Sequence, residues 1–406
     1  MAVGLHDFPL IPEIKGVRIG VAEAGIKKPN KKDIVIFELC EGASVAGVFT
    51  QNAFCAAPVR LCQKHLAATD ARYLLINTGN ANAGTGKSGI DNALKTCEAL
   101  SSQVRTDIEA ILPFSTGVIG EPLPVDKIIA AIPAALANLS GDNWRSAGLG
   151  IMTTDTLPKG SVRTFDFDGR TYSIAGSSKG AGMIRPNMAT MLGYVCSDIA
   201  MSADVLQSIL KDVVNKSFNR ITVDSDTSTN DSCIAVATGM AGNDPVTSLD
   251  DPLAQAFLVA FTEVMQELAH AIVRDGEGAT KFVTVEVVGA EKVEDSTAVA
   301  FEIAHSPLVK TALFASDPNW GRILAVVGRA GVEGLDVDRV QLHINGFEIA
   351  RDGCRSPDYL EEHGKQAMEP EEIHIRLDLG MGQQSDIVWT TDFSHEYVTI
   401  NAEYRT

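Results

Sequence analysis

The 406-residue sequence predicts an α/β fold of the layered α+β kind. Apolar runs of strand length alternate with amphipathic segments of helix length along the chain. In the second half, an Asn-Gly pair lies between two strand-like runs, which is typical of an antiparallel hairpin. Because helices and an antiparallel hairpin coexist, the pattern favours layered α+β over a purely parallel sheet.

The first half supplies two clear strands and one clear helix. The runs IVIFEL, residues 34–39, and RYLLIN, residues 72–77, are apolar and of strand length. The segment DNALKTCEALSSQV, residues 91–104, has helical periodicity. This alternation indicates an α/β or α+β fold.

The second half gives stronger signals. Ser202 is positioned to cap a helix over residues 203–218, and Pro252 to open a long helix over 252–274. The segment KFVTVEVVGA, residues 281–290, alternates at period two as a strand does, and VQLHI and FEIAR flank Asn345-Gly346. The predicted apolar stripe of the capped helix consists of Val205, Leu206, Ile209, Leu210, Val213 and Val214.

Composition excludes several classes of partner. The chain has 34 Lys and Arg against 52 Asp and Glu, a net charge of -18, which disfavours nucleic acid and anionic membranes as partners. Its seven cysteines are widely spaced, without a CxxC pair or zinc-type spacing, so we expect reduced thiols and no metal site. Without a signal-peptide pattern or an uncharged apolar run of 18 residues, we expect a cytoplasmic protein.

A glycine-rich segment, NTGNANAGTGKSG at residues 77–89, follows a predicted strand and precedes a predicted helix. Its ANAGTGKS portion is similar to a phosphate-binding P-loop, with Ala81 in place of the first glycine. The chain offers no clear Walker B aspartate to hold magnesium. We therefore favour a turn whose Asn and Thr side chains satisfy its own backbone.

An acidic and hydroxyl-rich run, VDSDTSTND at residues 223–231, suggests a calcium loop. The EF-hand pattern fails, because Thr229 and Ala235 stand where glycine and glutamate are needed. Two readings remain equally open: a solvated turn, or a polar network that supports a nearby site.

Three further turns carry chemistry-bearing residues. PFSTGVIGEP, residues 113–122, places a hydroxyl beside glycine, as an oxyanion site requires. DGEGATK, residues 275–281, is predicted to hold Glu277 on a sharp, exposed loop where it can bind a cation. DPNWGR, residues 317–322, with Trp320 and Arg322, is more simply a surface turn with one buried aromatic ring.

The segment KGAGMIRPNMATMLGYV, residues 179–195, places Thr190 after a glycine- and proline-rich turn. A threonine hydroxyl needs a base to act as a nucleophile, and its own α-amino group can serve if the chain is cut between Ala189 and Thr190. Composition alone favours the simpler reading, a threonine that begins a strand.

The same segment closely resembles the self-cleavage motif of the ornithine acetyltransferase family, the bifunctional glutamate N-acetyltransferases of cyclic arginine biosynthesis. NTGNANAGTG, STGVIGEPLP, TTDTLPK, DTSTNDS, DGEGATK, DPNWGRI and NAEYRT also look like family segments, in the same order over nearly the whole chain. Each segment alone is weak, but together they are specific. One departure is Ser225, where family members often have glycine.

The resemblance implies an α/β fold in which strand layers are covered by helices, with a smaller α/β domain in the C-terminal half. It also implies a precursor that cleaves itself into an α chain, residues 1–189, and a β chain, residues 190–406, which fold together and share a core. Thr190 would be the nucleophile and Thr116 and Gly117 the oxyanion hole. Substrate contacts would come from Thr153, Lys179, Thr190, Glu277, Asn401 and Thr406.

The implied reaction moves acetyl from N2-acetyl-L-ornithine to L-glutamate through an acetyl-Thr190 ester. The resemblance implies an α2β2 heterotetramer and no metal or bound cofactor, with acetyl-CoA possible as a second donor. Three alternatives stay open: a self-processing threonine amidohydrolase or aminopeptidase, a P-loop NTPase, and a non-catalytic binding protein.

Overall fold

The computed structural model describes residues 2–185 and 191–404, which form fifteen strands and eleven α-helices within those ranges. The strands are β1 Val17–Ala22, β2 Ile34–Leu39, β3 Ser44–Phe49, β4 Tyr73–Asn80, β5 Ile111–Val118, β6 Lys159–Phe167, β7 Arg170–Lys179, β8 Leu192–Ser197, β9 Ser232–Ala237, β10 Phe282–Ala290, β11 Gln341–Ile344, β12 Phe347–Arg351, β13 Cys354–Arg355, β14 Glu372–Asp378 and β15 Gln384–Thr391. The helices are α1 Ala57–Leu66, α2 Gly86–Val104, α3 Val125–Ala137, α4 Trp144–Ile151, α5 Ala203–Val214, α6 Pro252–Arg274, α7 Val293–His305, α8 Pro307–Phe314, α9 Trp320–Gly328, α10 Glu361–Met368 and α11 His395–Ala402.

Two sheets pack face to face and are covered by helices on both outer sides. The first sheet has the order β1-β2-β4-β5, and the second has the order β3-β9-β8-β7-β6. Phe37 and Phe114 of the first sheet contact Tyr194 of the second, with ring centroids 5.4 and 5.3 Å apart. This arrangement confirms the predicted layers, here in the sequence helix, sheet, sheet, helix.

The burial pattern of β2 explains the layering. Ile34 and Ile36 pack in a core with residues of α2 and α3, whereas Val35 and Phe37 pack between the two sheets. Successive side chains of a strand point to opposite faces, so a strand covered on both faces is apolar at almost every position. The continuous run IVIFEL therefore marks an internal strand.

The second sheet carries the longest helices on its outer face. Ser202 caps α5 by accepting a hydrogen bond from the Val205 amide, as predicted, and all six residues of the predicted stripe are buried. The helix ends at Val214 rather than at residue 218, because the Lys216 and Ser217 amides donate to the carbonyls three residues back instead of four. By length and composition α6 could cross a membrane, but much of it is buried in this core.

A smaller domain occupies the C-terminal half. Its six strands have the order β13-β12-β11-β14-β10-β15, and α7 to α10 surround a separate apolar core. The hairpin of β11 and β12 turns at Asn345 and Gly346, whose φ angles are 46° and 80°. These two positive φ angles are what a two-residue hairpin of this twist needs, so the Asn-Gly prediction is confirmed.

The seven thiols form no disulfide, and four of them are buried. Trp320 is only partly buried and begins α9, so the DPNWGR segment is the entry to a helix and not simply a surface turn.

Candidate active site

A cavity of about 320 Å³ lies at the ends of β5 and β7 and the start of β8. The 275–281 loop and residues 401–404 complete its wall. Among the residues lining it are Thr116, Gly117, Thr153, Lys179, Gly182, Met191, Asp231, Glu277, Asn401 and Tyr404. Six of these ten were predicted from the sequence as site residues. The fold therefore brings together residues that are up to 323 positions apart in the chain, from Ala81 to Tyr404.

The Thr116 hydroxyl is oriented by a neighbouring ammonium group. Lys179, at the end of β7, donates a hydrogen bond from Nζ to Thr116 Oγ1 at 3.3 Å, and both side chains are buried. Because an ammonium can only donate, Thr116 Oγ1 accepts this bond and its own proton remains available for another acceptor. Such a hydroxyl is suited to donate to a developing negative charge.

Gly117 follows Thr116 at the end of β5 with a φ of 134°. A Cβ atom at this position would overlap the backbone of Gly79 and Asn80 on the adjacent strand β4. Only glycine combines this φ with the close approach of the two strands. The backbone at Gly117 can thus face the cavity without a side chain in the way.

Several charges act on Lys179. Burial lowers the pKa of its ammonium below the ordinary value, while the carboxylates of Asp155, Asp231 and Glu277 act in the opposite direction. The cavity therefore contains one buried cation facing nearby anions. This arrangement suits a substrate that carries charges of both signs.

Glu277 provides the carboxylate on the opposite wall. Its side chain is 6% exposed, so the predicted exposed loop is wrong: the 275–281 segment folds inward. Asn401 donates to Glu277 Oε2 at 2.7 Å, and the Glu277 amide donates to the Ala181 carbonyl at 2.8 Å. A Cβ at Gly182 would overlap the Glu277 carboxylate and would displace it from its present position.

A buried ion cluster lies behind the cavity wall. The Lys159 ammonium lies 2.6 Å from both the Asp155 and the Asp275 carboxylates, and all three side chains are almost completely buried. Asp155 also accepts hydrogen bonds from the Thr153 amide at 2.9 Å and the Gly180 amide at 2.7 Å. The cluster thereby fixes three parts of the site: the 153 turn, the end of β7 and the start of the 275–281 segment.

Burial alone would raise the pKa of Asp155, but the ammonium groups of Lys159 and Lys179 outweigh it and hold that pKa well below its usual range. Asp155 is therefore ionised throughout the neutral range. Its negative charge is part of the permanent electrostatics of the site.

The 223–231 segment forms a polar network that supports this site. Asp224 accepts hydrogen bonds from the amides of Met183 and Ile184, at 2.6 and 2.8 Å. Asn230 donates to the carbonyls of Ala81 and Ser115, at 2.6 and 2.9 Å. Of the two readings left open by the sequence, the structure supports the network.

Comparison with known proteins agrees with this geometry. Residues 18–406 match the model of the ArgJ family. The chain is 57% identical over all 406 residues to the arginine biosynthesis bifunctional protein ArgJ of Pseudomonas syringae pv. tomato, and 56% identical to that of Pseudomonas fluorescens, covering 100% of each. The chain belongs to the ArgJ family.

One ArgJ crystal structure, from Bacillus halodurans, aligns with a TM-score of 0.50 at 36% identity, covering 52% of this chain and 99% of that one. The family resemblance drawn from the motifs is thus confirmed, as is the layered α/β fold.

Within this ArgJ chain, the structure places Thr116, Gly117, Thr153, Lys179, Glu277 and Asn401 around one cavity. Three other predicted residues, Ala189, Thr190 and Thr406, lie outside the described residues. Their roles remain predictions.

The glycine-rich segment between β4 and α2 is held together by its own side chains. Asn82 donates to the Gly89 carbonyl at 2.9 Å, and the Thr85 hydroxyl donates to Asn82 Oδ1 at 2.9 Å, while Lys87 and Ser88 point outward and are exposed. The interior of the loop is filled by its own polar side chains. Its role in the ArgJ fold is that of a structured turn.

Sequence reasoning missed the residues that hold the site in place. Lys159 and Asp155 lie within TTDTLPK, and Asp275 begins DGEGATK, so both motifs contained the signal. The available signal was an acidic residue two positions from a predicted site residue, Asp155 from Thr153 and Asp275 from Glu277. Among the described residues, no group of three or more His, Cys, Asp or Glu is arranged to hold a metal ion.

Proposed function

We propose that this enzyme of arginine biosynthesis transfers the acetyl group of N2-acetyl-L-ornithine to L-glutamate, with Thr190 as the nucleophile. The observation that carries the proposal is the pairing of Lys179 with Thr116 beside Gly117, in a cavity whose other wall is the Glu277 carboxylate. Met191, which directly follows Thr190 in the chain, lines the same cavity.

In the first half-reaction, the Thr190 hydroxyl attacks the acetyl carbonyl and its proton passes to the α-amine of the same residue. The oxyanion accepts hydrogen bonds from the Thr116 hydroxyl and the Gly117 amide. The C–N bond then breaks, the leaving amine takes the proton, and an acetyl ester remains on Thr190. Glu277, held by Asn401, faces the ammonium of ornithine.

In the second half-reaction, the amine of glutamate attacks the ester carbonyl and the C–O bond to Thr190 breaks. The proton that the amine loses passes through the Thr190 α-amine to Thr190 Oγ, and N-acetyl-L-glutamate leaves. Lys179 is the buried cation available to a substrate carboxylate. Because acetyl is held on the enzyme between two substrates, the kinetics should be ping-pong. This chemistry requires neither a metal nor a bound cofactor.

The same proposal includes self-cleavage between Ala189 and Thr190, which frees the amine that acts as base. Strands β7 and β8, on either side of the predicted cut, are antiparallel neighbours that pair from Ile174 with Ser197 to Lys179 with Leu192. Such pairing would hold the two resulting chains together. Association into an α2β2 heterotetramer and a cytoplasmic location belong to the proposal as well.

The test combines mass and kinetics. The intact mass of the purified protein should give two chains, the second beginning at Thr190, and a Thr190→Ala variant should remain one chain. Initial rates at varied acetylornithine and glutamate should give parallel double-reciprocal lines. Release of ornithine at the full rate without glutamate would instead identify a hydrolase, and a single inactive chain would refute the mechanism.

A further inference from the structure

One short segment, residues 222–232, holds the chain on both sides of the predicted cut. Before the cut, the Asp224 carboxylate accepts hydrogen bonds from the amides of residues 183–184. After it, the Ser232 amide donates to the Met191 carbonyl at 3.1 Å, and β8 then runs parallel to β9. Six residues separate the two anchored points, so a single segment fixes both ends of the stretch that contains the cut.

Ile184 is fixed at both of its backbone polar groups. Its amide donates to Asp224 Oδ1 at 2.8 Å. Its carbonyl accepts from the Thr222 hydroxyl at 2.8 Å and from the Val223 amide at 2.9 Å. The Ile184 side chain is buried in the core that the second sheet shares with α5 and α6. The chain therefore enters the stretch before the cut from a fixed point.

Met183, one residue earlier, has a backbone conformation that needs support. Its φ angle is 56°, in the left-handed region that a residue with a side chain rarely adopts. Such a conformation persists only where the surroundings enforce it. The Met183 amide donates to Asp224 Oδ2 at 2.6 Å, so the carboxylate that fixes Ile184 also fixes this turn. Met183 lines the candidate active-site cavity, which places the turn beside the predicted site.

An ionised carboxylate suits position 224 because it accepts hydrogen bonds at both oxygens and donates none. Here each oxygen faces one backbone amide. Burial raises the pKa of Asp224, whereas the hydrogen bonds from the two amides act in the opposite direction. An asparagine would keep one accepting oxygen but would place its NH2 group against the second amide. A neutral substitute of the same size therefore loses one bond and sets two donors against each other.

A third group reaches the same carboxylate. Tyr397 of α11 donates from Oη to Asp224 Oδ2 at 3.3 Å. The same helix carries Asn401, which holds Glu277. The Tyr397 bond is longer than the two amide bonds and comes from a different part of the chain, so it can be removed separately.

We propose that Asp224 is a positioning residue for self-cleavage, which holds the chain before the cut so that the Thr190 hydroxyl reaches the Ala189 carbonyl. This inference rests on the proposed function, since self-cleavage is part of it. Holding both ends of a short stretch removes most of its conformations before the reaction starts, and positioning of this kind contributes large factors in rate. Asp224 itself takes no part in the bond changes.

The reaction that Asp224 supports is an acyl shift followed by hydrolysis. Thr190 Oγ attacks the Ala189 carbonyl carbon, the C–N bond breaks, and the hydroxyl proton passes to the leaving amine. An ester then joins Ala189 to Thr190 Oγ. Water hydrolyses this ester, which leaves a carboxylic acid at Ala189 and a free hydroxyl and amine at Thr190. Atoms and charges balance with water as the only co-reactant.

The experiment measures how fast the uncut precursor is converted. The full chain is made by cell-free translation, synthesis is stopped, and the loss of the uncut chain is followed by denaturing electrophoresis. Asp224→Asn should lower the first-order rate constant about tenfold, because one charge-assisted hydrogen bond is lost. Asp224→Ala, which removes both bonds, should lower it about 10²-fold. Thr190→Ala, which lacks the nucleophile, gives the uncut reference.

Two controls separate positioning from a general loss of stability. Asp198→Asn alters a second buried carboxylate, which accepts the Ser173 amide at 2.9 Å at the far end of β8. It should lower the thermal unfolding temperature, as Asp224→Asn does, and yet cut at the native rate. Tyr397→Phe removes only the third bond to Asp224 and should cut within about threefold of the native rate.

Three outcomes of this comparison would overturn the proposal. Asp224→Asn could cut at the native rate, or no more slowly than Asp198→Asn, which would leave only an effect on stability. Slowing by Tyr397→Phe as strong as that by Asp224→Asn would assign the effect to α11 instead of the two amides.

Hydroxylamine identifies the step that is slowed. It cleaves esters far more readily than peptide bonds, so it accelerates the reaction only after the acyl shift. Because Asp224 acts before the shift, hydroxylamine should not restore the cutting of Asp224→Asn. Restoration would show that the variant forms the ester normally, and the positioning role would be wrong.

The same time course separates this inference from the proposed function. A native chain that stays uncut, and transfers no acetyl from acetylornithine to glutamate, would refute the proposed function. If the native chain is cut, acetyl is transferred, and Asp224→Asn is cut at the native rate, only the inference fails.

Discussion

Replacing Lys159 with methionine tests whether the buried ion cluster holds the site together. The substitution keeps a similar length but removes the ammonium that lies 2.6 Å from both Asp155 and Asp275. Two carboxylates are then left buried without their main counter-ion. Breaking a buried pair in this way typically costs about 3–5 kcal/mol of folding free energy. We expect a loss in that range.

The assay is urea unfolding of the Lys159→Met variant, followed by circular dichroism, together with steady-state kinetics. Arg163→Met is the matched control on the same strand, β6, because it removes ion pairs to Glu263 and Glu267 that are roughly half exposed. Exposed pairs contribute about 0–1 kcal/mol each, so the control should unfold close to the native protein. In Lys159→Met, the KM for acetylornithine should also rise, since Asp155 positions the Thr153 and Gly180 amides.

The dependence on pH gives a second check. In the native protein the pKa of Asp155 is held low, so its stabilising ion pairs are present above the unfolded-state pKa and are lost only as the pH falls through the lower folded-state value. Without Lys159, that pKa should rise, and acid should neutralise the buried carboxylate. The stability gap between native protein and variant should therefore narrow from pH 7 to pH 4. A variant within about 1 kcal/mol of the native protein at pH 7 would refute the reasoning.

Three further predictions concern the site and the core. Thr116→Ala should lower kcat by about 10²–10³-fold, since one oxyanion donor is lost, and Thr116→Ser should recover much of it; full activity in Thr116→Ala would contradict the assignment. Gly182→Ala should raise the KM for acetylornithine, because the new Cβ displaces the Glu277 carboxylate. Gly328→Ala is the control, since a Cβ there meets nothing within 4 Å, and its KM should not change. Equal KM values in both variants would exclude a role for the Glu277 position in binding acetylornithine. Burial, with a smaller effect from a nearby arginine, lowers the pKa of His270 to about 4 from 6.5, so the native protein should lose about 3 kcal/mol as the pH falls from 6.5 to 4. His270→Phe, measured by thermal unfolding across that range, should show a shallower loss; an unchanged slope would show that other groups control it.

Much of the fold follows from local sequence signals. Helix α6 begins and ends as predicted because Pro252 opens it and the apolar stripe persists to Arg274. The Asn345-Gly346 hairpin could also be predicted locally, because two residues suffice to define its turn. The order of strands was not predictable, since β3 pairs with β9 across more than 180 residues and no local pattern encodes such a pairing.

The site was predicted through motifs rather than through geometry. The resemblance identified Thr116, Lys179 and Glu277, but not that Lys179 donates to Thr116, because that contact depends on how β5 and β7 approach in space. Exposure of Glu277 was predicted wrongly for the same reason. The glycines on both sides of Glu277 predict an exposed loop. In the structure the Glu277 carboxylate is enclosed, because Asn401 donates a hydrogen bond to it and Gly182 packs against it.

The five-stranded sheet has a consequence for refolding. Its order, β3-β9-β8-β7-β6, interleaves strands from both sides of the predicted cut. In an uncut chain, unfolding and refolding are unimolecular, and the connecting segment limits the entropy lost when β7 and β8 meet. After a cut, the same strands must find each other as separate molecules, so refolding becomes concentration-dependent while aggregation competes with it. The chain would then fold once, before the cut, as a single molecule. Because the cut protein refolds poorly, its lifetime would be set by its rate of unfolding.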